Sequence, residues 1–293
     1  MLSHLPRFSP NGISKAKAEI KSRHSFGYEV LTERIIQRIR DFYAQLPRLN
    51  EKGNVVEPKL IIGLSGGVDS SVVTYLAVRA IGAENVIPIT ISSRKNEECI
   101  SLAEIVRHGL GITGLNYTRS IRKHTELFLE ENPEADKIDL GNFASRVRVA
   151  ILFFEARKHF GRVLGTGNRT EFVQGYATKY GTPNSCDFGI LDDLYKTDVY
   201  ELARVLGVPQ EIIHQRPSTG FYEGQTHEEE LGATWEEQDA AAFLLFEKKL
   251  SVEEIVEEYG ASREYLETIL RRYESSEHKR RLQSIHVELR GAE

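Results

Sequence analysis

The feature that most constrains the fold of this chain is a short apolar segment that opens, through two glycines, into a helical pattern. The segment at residues 60–64 is followed by Ser65-Gly66-Gly67-Val68-Asp69-Ser70, and apolar residues at helical spacing come next. Glycines carry no Cβ and let the backbone approach an anion closely. The amides of such a turn and the helix N-terminus both attract negative charge. The stretch therefore predicts a phosphate site, with an ordinary strand–turn–helix corner as the alternative.

The residue types in this loop add chemistry to its shape. Ser65, Ser70 and Ser71 supply hydroxyl donors, and Asp69 supplies a carboxylate suited to a magnesium ion. The loop differs from the lysine-bearing phosphate loop because it lacks the Gly-x-x-x-x-Gly-Lys-Ser/Thr pattern. A cap on the following helix is the alternative role for Asp69.

The bulk properties of the 293-residue chain exclude several classes of protein. Hydrophobic residues make up 40% and charged residues 28%, as in ordinary globular proteins. No apolar run approaches the roughly 20 residues that a membrane-spanning helix needs. The net charge of −5 argues against a nucleic acid as partner. Two cysteines, Cys99 and Cys186, provide neither a disulfide framework nor a four-ligand zinc site, which favours a cytoplasmic location.

Strand and helix patterns alternate through the first two thirds of the chain. Apolar runs predict strands at residues 60–64, 86–91, 114–118 and 162–165. Helical spacing predicts helices at 28–46, 68–80, 97–109, 121–130, 141–159 and 196–206. Strands that alternate with helices form parallel sheets. We therefore predict an α/β fold, a doubly wound parallel sheet flanked by helices, with ligands at the carboxyl ends of its strands.

The domain organisation is predicted as a leader followed by one domain. We expect residues 1–27 to be an N-terminal leader with partial order, a transit peptide being the alternative. Residues 28–293 form the domain, with a core at about 58–215 and a helical C-terminal extension at 234–282. The polar and acidic segment 216–230 is interpreted as a lid, and a solvated loop is the alternative.

Motifs in the second half of the chain narrow the family. Gly165-Thr166-Gly167-Asn168-Arg169-Thr170-Glu171 is followed by Gly175-Tyr176-Ala177-Thr178-Lys179-Tyr180-Gly181. Further matches lie at residues 141–148, 194–197, 216–218 and 276–280. In this order, and together with the Ser-Gly-Gly-x-Asp-Ser loop, these strings resemble the ammonia-dependent NAD synthetases. That family has a Rossmann-like fold with a pyrophosphatase loop.

The resemblance implies a two-step reaction with ATP, deamido-NAD and ammonia as substrates. The nicotinate carboxylate of deamido-NAD attacks the α-phosphate of ATP, which gives an acyl adenylate and pyrophosphate. Ammonia then displaces AMP and leaves the carboxamide of NAD. Glutamine-dependent members carry a separate amidase domain that a chain of this length does not accommodate, so free ammonia, or ammonia delivered by another protein, is the expected nitrogen donor. The resemblance also implies a homodimer with the dinucleotide site near its interface.

The resemblance carries over to individual residues. Asp69, Glu171 and Lys196 are implied to be catalytic, with Asp69 and Glu171 as ligands of Mg²⁺. The implied ATP contacts are Gly63, Leu64, Ser65, Gly66, Gly67, Val68, Asp69, Ser70, Thr166, Lys196 and Ser218. The implied deamido-NAD contacts are Arg146, Lys179, Asp187, His278 and Lys279.

Simpler roles compete with these assignments. Glu171 is also placed as a first-turn acid that interacts with a helix dipole, and Arg146 as a solvated surface residue. Lys196 begins a helix, where the dipole disfavours a cation, so a ligand anion explains this lysine better than a structural role does. The basic run at 278–281 fits either phosphate binding or plain solubility.

The chain departs from the family pattern at two places. The segment 181–187 is one residue longer than the usual Gly-Asp-Gly-Gly-x-Asp arrangement, which affects the alignment of Asp187. Residues 217–221 lack an acidic residue that the family usually has there. Two other hypotheses therefore stay open: an adenylating ligase with a different acceptor or nucleophile, and a nucleotide-binding relative without turnover.

Overall fold

The computed structural model describes residues 6–93, 97–113, 117–182, 185–215 and 231–280. The segment 216–230, predicted as a lid, and Ser218 within it lie outside the described residues. The same holds for residues 281–282 at the end of the predicted C-terminal extension.

The centre of the described fold is a parallel five-stranded sheet in the order β3-β2-β1-β4-β5. Its strands are β1 (Leu60–Gly63), β2 (Val86–Ser92), β3 (Thr118–Ser120), β4 (Arg162–Asn168) and β5 (Phe188–Leu191). In register, Leu60 of β1 lies opposite Val86 of β2 and opposite Arg162 of β4. The chain fills the sheet to one side of β1 first and then returns to its other side. The order therefore reverses between β1 and β4, where open α/β sheets bind their ligands.

Helices precede, connect and follow the strands. The first eight are α1 (Pro10–Ser22), α2 (Tyr28–Ala44), α3 (Val68–Ile81), α4 (Glu97–Gly109), α5 (Arg122–Glu131), α6 (Lys137–Lys158), α7 (Arg169–Gln174) and α8 (Lys196–Leu206). The remaining helices are α9 (Gln210–Ile213), α10 (Trp235–Ala242), α11 (Val252–Tyr259), α12 (Arg263–Ser275) and α13 (Glu277–Arg280). A short 3₁₀ turn covers Ala83–Asn85, and a π-helical turn, Phe243–Glu247, continues α10. No helix among the described residues is both long and apolar enough to cross a membrane.

Strand β1 shows why both faces of the sheet are covered. Successive side chains of a strand point to opposite faces. Leu60 and Ile62 join a buried cluster with residues of α2, α3 and α8. Ile61 joins a separate cluster with Leu152 of α6 and residues of β2 and β4. The continuous apolar run is thus buried on both sides, and the predicted doubly wound α/β fold is confirmed.

Two short elements were absent from the sequence prediction. Strand β5 forms by pairing with β4, with Phe188 opposite Leu164, a long-range contact that no local pattern signals. Helix α7 spans only six residues and begins at a capping box made by Asn168 and Glu171. Helix α6 starts earlier than predicted, because Asp136 caps it through the amides of Ile138 and Asp139.

The segment predicted as a leader contains an ordered helix. Helix α1 buries Ala16 and Ile20 in a cluster with the C-terminal helices. Ser9 before it donates its backbone N–H to the Gly260 carbonyl at 3.0 Å and its hydroxyl to the Tyr259 carbonyl at 2.9 Å. These contacts join the N-terminal helix to the C-terminal extension. Residues 10–22 therefore pack as part of the folded unit, so this portion of the predicted leader is ordered, and the domain bounds stay a prediction.

Gly12 provides a test of this packing. A Cβ at Gly12 would overlap the backbone carbonyl of Tyr259 in α11. Alanine favours helix by about 1 kcal/mol relative to glycine, whereas overpacking costs about 1–3 kcal/mol and requires the backbone to shift. We expect Gly12→Ala to lower the free energy of unfolding in a urea titration. Ser14→Ala on the exposed face of α1 is the matched control, and a stabilised Gly12→Ala variant would show that α1 is not docked here.

Candidate functional site

The loop after β1 is shaped for an anion. Gly66 has φ of 86°, in the region that favours glycine, and a Cβ there would lie 2.8 Å from the Cys99 carbonyl oxygen. The Ser65 and Ser70 hydroxyls lie 3.0 Å apart, and Ser70 also donates to the Gly67 carbonyl. Helix α3 begins immediately after Gly67, so the amides of its first turn precede the first helical hydrogen bond. The loop offers hydroxyl groups and a helix N-terminus at the carboxyl end of β1.

Asp69 does not cap the helix in which it lies. The N-cap of α3 is Gly67, and no side chain caps it. The Asp69 carboxylate instead accepts a hydrogen bond at 2.9 Å from the Asn168 amide at the end of β4. Its other oxygen forms an ion pair with the Lys196 ammonium at the start of α8. Asp69 therefore joins β1, β4 and α8 at the point where the strand order reverses.

Lys196 is a buried cation at a helix N-terminus. Its side chain is 1% exposed, and its Nζ lies 5.1 Å from the centre of the Trp235 ring. Burial by itself lowers the pKa of Lys196, but attraction by the Asp69 and Glu171 carboxylates outweighs it, so the pKa lies above its ordinary value. The sequence predicted a ligand anion for Lys196, whereas its anionic partner in this structure is the Asp69 carboxylate, and the ligand stays a prediction. The ammonium remains charged next to the loop at residues 63–70, which follows β1 and which we call the phosphate loop.

Glu171 takes the first-turn position that its simpler role predicts, and its carboxylate interacts with Asp69. Its carboxylate accepts from the Asn168 N–H at 3.3 Å, and the Asn168 side chain accepts from the Glu171 N–H at 3.0 Å, which makes a capping box. Burial, and after it repulsion from Asp69, raises the pKa of the Glu171 carboxyl to about 8. Two carboxylates that disfavour each other's charge attract a divalent cation between them. Asp69 and Glu171 are therefore suitable oxygen donors for Mg²⁺.

A buried carboxylate that the sequence did not reveal, Asp239, links the two helices that carry Glu171 and Lys196. Asp239 of α10 accepts hydrogen bonds from the Thr170 hydroxyl and, at 2.9 Å, from the Thr197 N–H. The Thr170 hydroxyl in turn accepts from the Lys196 N–H at 2.9 Å. Burial raises the pKa of Asp239 to about 7. Sequence reasoning missed Asn168, Thr170 and Asp239; only the Asn-x-x-Glu spacing of the capping box was a usable signal.

Thr166 lies at an irregularity of β4. Between Gly165 and Asn168 the register with β5 shifts, as at β-bulges, which redirect side chains near active sites. The half-buried Thr166 is two residues before Asn168 on the same strand. Thr166 therefore lies at the same end of β4 as Asn168, which donates to the Asp69 carboxylate.

A second group of predicted residues surrounds the segment 175–182. Arg146 of α6 donates from Nε to the Lys179 carbonyl at 3.2 Å. From the other side, the Lys279 ammonium of α13 donates to the Gly175 carbonyl at 2.9 Å. His278 is exposed next to Lys279. Arg146, Lys179 and Lys279 thus provide three cationic side chains along one segment.

Asp187 lies apart from the Asp69–Lys196 pair. Its carboxylate accepts from the Val163 N–H at 2.7 Å, near the beginning of β4, while Asp69 contacts the end of that strand. Cys186 beside it is held against Gly165, where a Cβ would lie 2.6 Å from its sulfur. Burial raises the pKa of the Cys186 thiol to about 12, which suits a packing role and not a nucleophile.

The fold and site together define a nucleotide-binding α/β protein. It has a phosphate loop after β1 and a buried Lys–Asp pair at the switch point of the sheet, where the strand order reverses between β1 and β4. Comparison with known proteins narrows this class. The chain belongs to the NAD synthase family, which it matches over residues 35–283.

Individual relatives agree with the family assignment. The NH(3)-dependent NAD(+) synthetase of Thermococcus kodakarensis is 40% identical over 252 residues, which cover 84% of this chain and 94% of that protein. The structure is similar to that of an NMN synthetase from Francisella tularensis, with a TM-score of 0.75, 27% identity and coverage of 90% and 99%. An NH3-dependent NAD synthetase from Campylobacter jejuni, at 22% identity and a TM-score of 0.69 over 89% of this chain and 99% of that one, shares the fold.

The raised pKa of Glu171 makes a prediction about stability and pH. A carboxyl whose pKa is about 8 when folded and 4.5 ordinarily binds its proton more tightly in the native state. Its contribution is therefore fully present below about 4.5 and is lost as the pH rises through about 8. We expect Glu171→Gln to unfold at a higher temperature than the wild type at pH 8–9, in a window set by that pKa, and the gap to close toward pH 5, near the ordinary value.

The exposed capping box of α11 supplies the control. Its Glu254 takes the same N3 position, and hydrogen bonds from Ser251 lower its carboxyl pKa. Glu254→Gln is expected to give no gain in melting temperature at high pH. Parallel stability curves for the wild type and Glu171→Gln would show that the Glu171 carboxyl is not held neutral.

Proposed function

We propose that this protein catalyses the ATP-dependent amidation of deamido-NAD to NAD, with ammonia as nitrogen donor and with release of AMP and pyrophosphate. The observation that carries the proposal is the buried Lys196–Asp69 pair beside Glu171, at the phosphate loop and the switch point of the sheet. The curated relatives' name, NH(3)-dependent NAD(+) synthetase, supports both the product and the nitrogen source.

In the first step, the acceptor carboxylate attacks the α-phosphorus of ATP, and the bond to the β-phosphate bridging oxygen breaks. An anion then approaches a polyanion, so positive charge must be concentrated at the phosphates. Lys196 provides a fixed ammonium, and the loop at residues 63–70 provides amides and hydroxyls for the departing pyrophosphate. Mg²⁺, held by Asp69 and Glu171, would neutralise phosphate charge when bound.

In the second step, ammonia attacks the acyl carbon, the carbon–oxygen bond to AMP breaks, and the nitrogen loses a proton. No protein nucleophile is required. The Cys186 thiol is held protonated by burial, which raises its pKa to about 12. The reaction therefore depends on binding, orientation and charge neutralisation at the phosphate loop.

The acceptor is assigned to the segment 175–182 and its neighbours. The cationic side chains of Arg146, Lys179 and Lys279, with His278 adjacent, suit the phosphates of a dinucleotide. Asp187 remains an assignment from the motif, as does Thr166 for ATP. Ser218 is proposed for ATP on the same ground.

A homodimer is proposed from the exposed apolar side chains of α5 and α6. Five large apolar side chains there are 38–66% exposed: Leu127, Leu129, Ile138, Phe153 and Phe154. Neighbouring exposed apolar side chains, such as Phe153 and Phe154, mark interaction surfaces, and their helix α6 also carries Arg146. Light scattering is expected to give twice the 33.2 kDa chain mass; the mass of a single chain would contradict the dimer.

A cytoplasmic location is proposed from the thiols. The sequence contains two cysteines, Cys99 and Cys186, and such low cysteine usage is usual in a reducing compartment. Fractionation of the source cells would test it.

The function is tested by incubating the purified protein with ATP, Mg²⁺, deamido-NAD and ammonium while NAD and pyrophosphate are measured together. We expect equal amounts of the two products. Asp69→Asn and Glu171→Gln are expected to lower both rates by at least about 100-fold, because each removes a carboxyl group that would hold Mg²⁺ against the phosphates in the transition state. Glu254→Gln, distant from the site, is the matched control.

The outcomes separate the alternatives. Pyrophosphate without NAD would contradict ammonia as the nucleophile, and bound ATP without either product would indicate a relative without turnover. The carboxylate precursor of NMN belongs in the same assay because of the similarity to the NMN synthetase structure. Faster turnover of that mononucleotide than of deamido-NAD would overturn the dinucleotide as acceptor.

A further inference from the structure

The turn between α1 and α2 reaches a buried carboxylate in the helix that carries Lys196. Arg23, His24 and Tyr28 lie in or next to this turn, and all three precede the family match, which begins at residue 35. Their common contact is Asp198 of α8, which is fully buried. We refer to Arg23, His24 and Tyr28 as the N-terminal brace.

The contacts of the brace with Asp198 are specific. The Tyr28 hydroxyl donates to Oδ1 at 2.7 Å, and the Arg23 guanidinium donates to Oδ2 at 3.3 Å. The His24 Nε2 lies 3.6 Å from the same oxygen. Burial, and after it the negative charge of Asp198, raises the pKa of the Tyr28 hydroxyl, which therefore stays a donor. Asp198 therefore accepts hydrogen bonds from two side chains that are 170 and 175 residues away in sequence.

The same carboxylate sets the first turn of α8. Asp198 Oδ2 accepts from the Tyr195 N–H at 3.0 Å, and the side chain of Lys196, the first residue of the helix, reaches Asp69. Arg23 supports this turn at two further points. Its guanidinium lies 4.8 Å from the centre of the Tyr195 ring, and it donates to the Asp193 carbonyl at 3.1 Å.

We propose that Arg23 and Tyr28 are positioning residues that act through Asp198 to hold Lys196 against Asp69 and the phosphates of ATP. The expected effect on turnover rests on the proposed function, whereas the positioning of the Lys196 side chain does not. Of the three brace residues, only Tyr28 packs against a core cluster, where it is partly buried. All three contact Asp198 in the first turn of α8. A displacement of about 1 Å at a catalytic group costs up to about 100-fold in rate. Loss of the brace should thus affect turnover more than folding.

The test compares four variants by two measurements. Acetylation of Lys196 by an N-hydroxysuccinimide ester, followed by peptide mass spectrometry, reports whether the buried ammonium is still held. Steady-state kinetics report kcat and KM for ATP and for deamido-NAD. The variants are Tyr28→Phe, Arg23→Ala, Arg23→Lys and, as matched control, Lys15→Ala. Lys15 lies on α1 and pairs with the exposed Glu258 at 3.0 Å.

We expect Tyr28→Phe and Arg23→Ala to raise the acetylation rate of Lys196 several-fold and to lower kcat on the order of tenfold. KM for deamido-NAD should stay within about twofold, because the acceptor is assigned to the segment 175–182 and not to the first turn of α8. Arg23→Lys should recover part of the loss, since it keeps the charge but not the planar fork of donors. Lys15→Ala should match the wild type in both measurements.

Two results would overturn the proposal, and a third would support it. Unchanged acetylation in both brace variants overturns it, and so does a fall in kcat without increased acetylation. If the wild-type protein does not convert deamido-NAD but the variants still show increased acetylation of Lys196, the positioning role is supported and only the proposed function is contradicted. If Arg23→Ala does not fold, Tyr28→Phe decides, because it removes a single hydroxyl.

Discussion

The structure of this site depends on a charge that must be neutralised. Lys196 is buried at a helix N-terminus, where both desolvation and the helix dipole act against an ammonium group. Removing one partner of a buried ion pair costs about 3–5 kcal/mol, so Asp69 is strongly required in the absence of substrate. Under the proposed function, the phosphate oxygens of ATP provide a further anionic partner for the same ammonium.

The residues that hold Lys196 in place, directly or through a neighbour, come from four separate parts of the described chain. The phosphate loop after β1 supplies Asp69, the end of β4 supplies Asn168, and α10 supplies Asp239 through Thr170. The turn before α2 supplies the contacts with Asp198. Helices α1 and α10 lie outside the alternating strand–helix core, but residues on or next to them contact the helices that carry Glu171 and Lys196. Their packing in one apolar cluster joins the two ends of the described chain.

Local signals explain which parts were predictable. The loop at residues 63–70 and helix α3 follow from an apolar run, two glycines and helical spacing, all within about one supersecondary unit. Glu171 was found from its motif, but its raised pKa depends on burial and on Asp69 across the sheet. Strand β5 and helix α1 were missed or assigned differently, because each is stabilised by contacts with residues distant in sequence. Asp239 carried no pattern that distinguished it from a surface carboxylate.

The sequence by itself determined the parallel α/β class, the phosphate loop, the family and the residue types of the site, because these depend on short-range periodicity and on motifs of fixed spacing. Only the tertiary structure decided which charges meet. Lys196 and Asp69 are 127 residues apart, as the sequence separation of their contact shows, and Tyr28 and Asp198 are 170 apart. Such pairs arise from strand order and helix packing, which bring distant segments together at one edge of the sheet.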